Sequence, residues 1–112
     1  MIERYAVYWA NLDPVRGGEM AKTRPVVVIS EESMNRLLDT VVVCPLTSRI
    51  HPRWPSRVQT RVAGQESEIA IDQIRTITKA RLGDWIAALD EPVAAAIRHI
   101  VTEMYGVLSV SG

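Results

Sequence analysis

Two short runs set a cation and hydroxyls at the ends of strongly apolar stretches. In Lys22-Thr23-Arg24-Pro25, Arg24 stands just before the run Pro25–Ser30, anchored by a proline whose φ is fixed. In Pro45-Leu46-Thr47-Ser48, two hydroxyls follow the run Thr40–Leu46. Arginine grips phosphate through a planar, bidentate fork, and a threonine hydroxyl can donate to a phosphoryl oxygen. Polar groups at the ends of stiff strands are where sites are commonly built. Arg24 therefore reads as a phosphate clamp and Thr47 as a donor. The plainer alternatives are a surface charge and a turn former.

The charge distribution supplies a second feature. Thirteen Lys+Arg balance thirteen Asp+Glu, so the formal net charge is zero and a histone-like blanket of positive charge is excluded. The balance is uneven along the chain. Arg49, Arg53, Arg57 and Arg61 fall between Thr40 and Gln65 with no acid among them, whereas Glu66 to Glu91 carries six acids. Eleven of the thirteen basic residues are Arg, the type suited to phosphate. His51 and Trp54 lie inside the basic stretch and could stack on unpaired bases. A positive loop with interleaved aromatics suits single-stranded nucleic acid better than duplex. The alternative is a solvated loop with surface arginines.

These residues need elements to hold them. At 112 residues and 47% apolar content the chain reads as one globular domain spanning residues 1–112. Tyr5–Leu12 reads as a strand, and Asp13 to about Arg24 as a loop rich in turn residues. Pro25–Ser30 and Thr40–Leu46 are β-branched runs apolar on both faces, as in central strands covered on each side. Ser30–Leu38 reads as a short helix with Ser30 as N-cap, and Thr47–Ser56 as a loop broken by Pro52 and Pro55. Arg57–Val62 alternates as a strand, and Glu68–Thr78 alternates again as one bent strand. Ala80–Leu89 is ambiguous, with room for a short helix. From Asp90, a cap followed by Pro92, a helix carries Val93, Ile97, Ile100, Val101, Met104 and Leu108 on one stripe, with His99 beside it. The order predicts a small, mainly β (α+β) antiparallel barrel with helices on its outside.

Some classes are excluded. The single cysteine, Cys44, leaves no internal disulfide and points to a reducing, cytoplasmic compartment. No apolar run approaches a membrane span, and Met1-Ile2-Glu3-Arg4-Tyr5 does not open a signal peptide. There is no CxxC, HExxH, GxGxxG or Walker A pattern, so no metal or other cofactor is expected.

The ordered series Asn11-Leu12-Asp13-Pro14, Gly17, Glu19, Lys22 through Ser30, Val43 through Ser48, Asp72 through Ile77 and Arg81-Leu82 resembles the MazF/PemK (Kid) family. These are ribonuclease toxins of toxin–antitoxin pairs. The likeness runs over roughly residues 5–105. One departure is Tyr5-Ala6, where the family usually has a Gly-acid pair. The resemblance implies an SH3-like, plasmid-maintenance-toxin (CcdB/PemK-like) barrel acting as a homodimer. It implies metal-free, sequence-selective cleavage of single-stranded RNA, typically messenger RNA, and so arrest of translation and growth. It implies a partly disordered, acidic antitoxin, with DNA bound only indirectly through the antitoxin complex.

Carried over by motif, Arg24, Thr47 and Glu19 are the catalytic candidates, and Gln73 and Arg75 lie beside the site. Lys22, Ser48, Arg49, His51, Arg53, Trp54 and Arg57 complete the expected RNA-binding set. In such cleavage a ribose 2′-OH attacks the adjacent phosphorus, giving a 2′,3′-cyclic phosphate and a free 5′-OH. Arg24 and Thr47 or Ser48 would neutralise the growing charge. Arginine stays protonated, so the base falls to Glu19 or, second, to His51; His99 reads as structural. Two other readings are a non-cleaving toxin of the same fold that binds a protein such as gyrase, and a non-catalytic RNA-binding homologue.

Overall fold

The computed structural model describes residues 1–12 and 23–106. Its strands are β1 (Ala6–Asn11), β2 (Thr23–Val28), β3 (Thr40–Thr47), β4 (Arg57–Val62), β5 (Gln65–Ala70), β6 (Arg75–Thr78) and β7 (Leu82–Ala88). The helices are α1 (Glu32–Leu37) and α2 (Glu91–Tyr105). Among the described residues the strands form one curled antiparallel sheet in the order β4-β5-β3-β2-β1-β7, with β6 also paired to β3.

The β-branched runs are buried on both faces, as their composition predicts. Val26, Val28, Val41 and Val43 pack with Tyr8, Leu12 and Ile77 on one face. Val27, Cys44 and Leu46 pack with Val58, Ile69, Ile71 and Ile97 of α2 on the other. Burial pushes the Cys44 thiol up to about 12, so it acts as a packing group.

β3 is the pivot. Its first half pairs with β6, from Thr40↔Thr78 to Val43↔Arg75, and its end pairs with β5 at Leu46↔Ile69 and Thr47↔Glu68. Pro45 stands between these two partners, where a missing N–H costs the ladder least. The expected bent strand over Glu68–Thr78 is therefore two strands, divided by a 3-10 turn at Ile71–Gln73. That turn is what hands one edge of β3 from β5 to β6.

Three further expectations are corrected. The cap of α1 is Glu31, whose carboxylate accepts from the Ser33 backbone N–H. Ser30 instead turns inward, donating to Asn35 Oδ1 and accepting from the Val42 N–H at 3.0 Å. Ala80–Leu89 is mostly strand: a 3-10 turn at Lys79–Arg81 leads into β7, which pairs with β1 through two register shifts. Pairing overrides the helical leaning of its alanines. On α2 the Asp90 cap and the early Pro92 are as expected, but Met104, placed on the apolar stripe, is exposed; His99, beside that stripe, is exposed and lies 3.9 Å from Glu103. Leu108 lies outside the described residues.

Among the described residues, two non-glycine residues adopt positive φ. Ala63, at 50°, precedes Gly64, at 78°, in the two-residue turn joining β4 to β5, where both central positions require it. Tyr5, at 63°, marks the departure noted above: a glycine would enter β1 there without strain. The tyrosine ring instead packs against the α2-side core and lies under Arg4, 4.9 Å from its guanidinium carbon.

Candidate active site

The loop joining β3 to β4 is shaped by its prolines. The Trp54 N–H reaches the His51 carbonyl at 3.1 Å, and the Arg57 N–H reaches the Trp54 carbonyl at 3.2 Å. These are two β-turns in tandem, with Pro52 and Pro55 each at the second position, where φ near −65° is wanted. The three-residue repeat returns His51, Trp54 and Arg57 to one side. The His51 and Trp54 rings stack with centroids 3.9 Å apart, and the Arg57 guanidinium lies 4.5 Å from the Trp54 ring centre.

The sheet supplies the facing wall. Residues opposite one another on antiparallel strands share a face. Thr47 on β3 stands opposite Glu68 on β5, and Glu68 opposite Gln59 on β4. On the other side, two residues beyond the Val26↔Pro45 pair along each strand come Arg24 and Thr47. The sheet thus lays Thr47, Glu68 and Gln59 in a row across three strands, and Arg24, on β2 beyond its last pair with β3, lines the same cleft as Thr47. The Arg49 N–H donates to Thr47 Oγ1 at 3.1 Å, which leaves the threonine O–H to donate elsewhere.

Glu68 is fully buried and takes four donors. Its Oε1 accepts from the His51 backbone N–H at 2.6 Å and from Gln59 Nε2 at 2.7 Å. Its Oε2 lies 2.9 Å from His51 Nδ1 and accepts from Arg57 at 2.8 Å. Burial alone would push this carboxyl up. The donors, led by the His51 backbone N–H, outweigh it and hold Glu68 at about 2. Arg57 also holds Asp72, Nε to Oδ1 at 2.8 Å, and Ser56 Oγ donates to the same carboxylate at 2.9 Å. Burial opposes ionisation of Asp72 too, but the Arg57 and Ser56 hydrogen bonds win and lower it.

Arg24, Thr47, Arg49, His51, Trp54, Arg57 and Gln73 line one cleft of about 230 Å³, together with Pro45, Leu46 and Ala70. Two runs more than twenty residues apart in sequence therefore meet, as do the basic loop and the Asp72–Arg75 segment. Arg57 needs correction as an RNA-binding arginine. Its side chain is 5% exposed and its guanidinium is committed to Glu68 and Asp72. Ser48, Arg53 and Arg75 are exposed but are not among the groups lining the cleft. Glu19 and Lys22 lie outside the described residues. Among the described residues Arg24 and Arg49 have no carboxylate within ion-pair distance.

Residues 3–105 match the PemK-like, MazF-like toxins of type II toxin-antitoxin systems. The chain belongs to that family. Endoribonuclease EndoA of Bacillus subtilis (strain 168) is 38% identical over 96 residues, covering 81% of this toxin and 83% of the relative. The fold matches a MazE-MazF crystal structure from Deinococcus radiodurans with a TM-score of 0.81 at 24% identity, over 97% of this toxin and 99% of that chain. It matches an endoribonuclease in complex with its cognate antitoxin from a mycobacterial species with a TM-score of 0.77 at 22% identity, over 95% and 96% of the two chains.

Sequence reasoning about the toxin missed Glu68, the hub of one wall. The signal was there. Arg57, Gln59 and Arg61 repeat at period two, and so do Glu66 and Glu68, on either side of a turn at Ala63-Gly64. Folding that hairpin cancels much of the apparent basic stretch. Among the described residues no helix is long and apolar enough to cross a membrane.

Proposed function

We propose that this endoribonuclease toxin cleaves single-stranded RNA, typically messenger RNA, at a short preferred sequence and so halts translation and growth. The observation that carries the reading is the meeting of Arg24 and Thr47 in one cleft beside Arg49, with the two guanidiniums unpaired among the described residues. A phosphodiester seated there meets the bidentate fork of Arg24 and the O–H of Thr47. The 2′-oxygen attacks phosphorus in line, the bond to the 5′-oxygen breaks, and the products are a 2′,3′-cyclic phosphate and a 5′-OH end. Charge that builds on the equatorial oxygens is stabilised by donors fixed in advance on rigid strands. A flexible single strand suits this geometry, because duplex RNA does not splay into it.

The same cleft accounts for control. Unpaired arginines that take phosphate also take carboxylates, so an acidic antitoxin segment laid along the cleft would exclude RNA. A homodimer and an antitoxin partner, with DNA reached only through that partner, complete the proposal. Incubating the purified toxin with a long single-stranded RNA in excess EDTA, then mapping cut sites and end groups, tests it. Cyclic-phosphate ends that depend on Arg24 are expected. Cleavage that stops on chelation, or that persists without Arg24, would overturn the mechanism.

A further inference from the structure

We propose that His51 is the general base of this cleavage and that buried Glu68 is the residue that positions it. The inference rests on the ribonuclease reading above. Three observations on the wall opposite Arg24 carry it. First, His51 lines the same cleft as Arg24 and Thr47, with its side chain only 29% exposed. Second, its Nδ1 lies 2.9 Å from Glu68 Oε2, on a carboxylate that also takes the Arg57 guanidinium, the Gln59 amide and the His51 backbone N–H. An ionised carboxylate only accepts, so Nδ1 carries the proton and the lone pair of a neutral ring is on Nε2. Third, Nε2 has no hydrogen-bond partner among the described residues, and stacking on Trp54 fixes the ring plane.

This is the arrangement a base needs: an acceptor nitrogen on a ring that lines the cleft, and an acid on its other nitrogen to orient it.

The step balances. Nε2 takes the proton of the 2′-OH as the 2′-oxygen forms its bond to phosphorus. The 5′-oxygen leaves with the electron pair of the broken bond and takes a proton from water. The imidazolium, facing ionised Glu68, returns its proton to solvent. Glu68, Asp72, Arg57, Arg24 and Arg49 are the charged groups around this ring on the described elements. Glu68 serves Arg57 as well, and the Arg57–Asp72 pair holds that arginine in place when Glu68 is changed.

The test is single-turnover cleavage of a defined single-stranded RNA by His51→Gln, Glu68→Gln, Glu19→Gln and wild type. The His51→Gln side chain keeps an amide donor for Glu68 but offers no base. A loss of about 10²- to 10³-fold in rate with RNA affinity within a few-fold is expected for His51→Gln. Added imidazole should restore part of the rate of His51→Ala. Nitrogen-15 NMR of the wild type should show His51 as the Nδ1–H tautomer, and Glu68→Gln should lose that signature together with part of the rate. His51→Gln cleaving within about three-fold of wild type, or rate loss confined to Glu19→Gln, would overturn the assignment. A wild type that does not cut overturns the ribonuclease reading and this inference with it. A wild type that cuts while His51→Gln also cuts overturns the inference alone.

Discussion

The two walls of the cleft use the same residue type in opposite ways. On the β2–β3 wall, Arg24 is exposed and unpaired among the described residues, at the end of a strand whose interior is valine. On the β4–β5 wall, Arg57 is buried, with one carboxylate on Nη1 and another on Nε. Both were counted equally in the basic composition. The difference is pairing, which strand register decides. A buried arginine held by two carboxylates is a structural clasp, whereas an exposed one on a rigid strand is available to an anion. Counting arginines overstates what the cleft offers a phosphate.

Substitutions should separate the walls. Arg57→Ala leaves Glu68 buried without its guanidinium, and breaking such a pair costs about 3–5 kcal/mol. A urea unfolding curve should show that loss. Arg24→Ala should leave the unfolding midpoint within about 0.5 kcal/mol of wild type, as surface changes usually do. The same variant should lower the cleavage rate by about 10²- to 10³-fold, near 3 kcal/mol of transition-state stabilisation. If Arg57→Ala proves stable, or Arg24→Ala unfolds, the division between clasp and clamp is broken.

Acid sharpens the comparison further. Glu68 sits at about 2, below its ordinary value of roughly 4.3. The folded state therefore takes up this proton later than the unfolded chain. Its contribution is complete above about pH 4.3 and is lost as pH falls from there through about 2. Asp72, also lowered, adds in the same direction. Stability followed by thermal melts between about pH 5 and 2 should fall, and Glu68→Gln should flatten that slope. The smallest effect belongs to the hairpin that aligns the β4–β5 wall. Ala63→Asn suits a turn with positive φ at both positions and should raise stability by roughly 0.5–1 kcal/mol.

Much of this architecture was legible in the residues. The valine runs gave β2 and β3 and their double-sided burial, and Asp90 with Pro92 gave the start of α2. Arg24 and Thr47 stood out because each ends such a run. What escaped was long-range. Glu68 reads as an ordinary alternating acid until the Ala63-Gly64 turn sets it opposite Gln59 and Thr47. Ser30 reads as a cap, yet its hydroxyl is claimed by Asn35 and Val42 across the fold. β7 reads as ambiguous because its strand character comes from β1 rather than from its own alanines. Pro52 and Pro55 signalled irregular backbone, but their spacing of three already encoded the tandem turns that stack His51 on Trp54.

The most direct measurement is the single-turnover rate of RNA cleavage by Arg24→Ala beside wild type, in EDTA, with both unfolding midpoints recorded. A fall of about two to three orders of magnitude at an unchanged midpoint is expected. An unchanged rate, or a fall explained by lost folding, would contradict it.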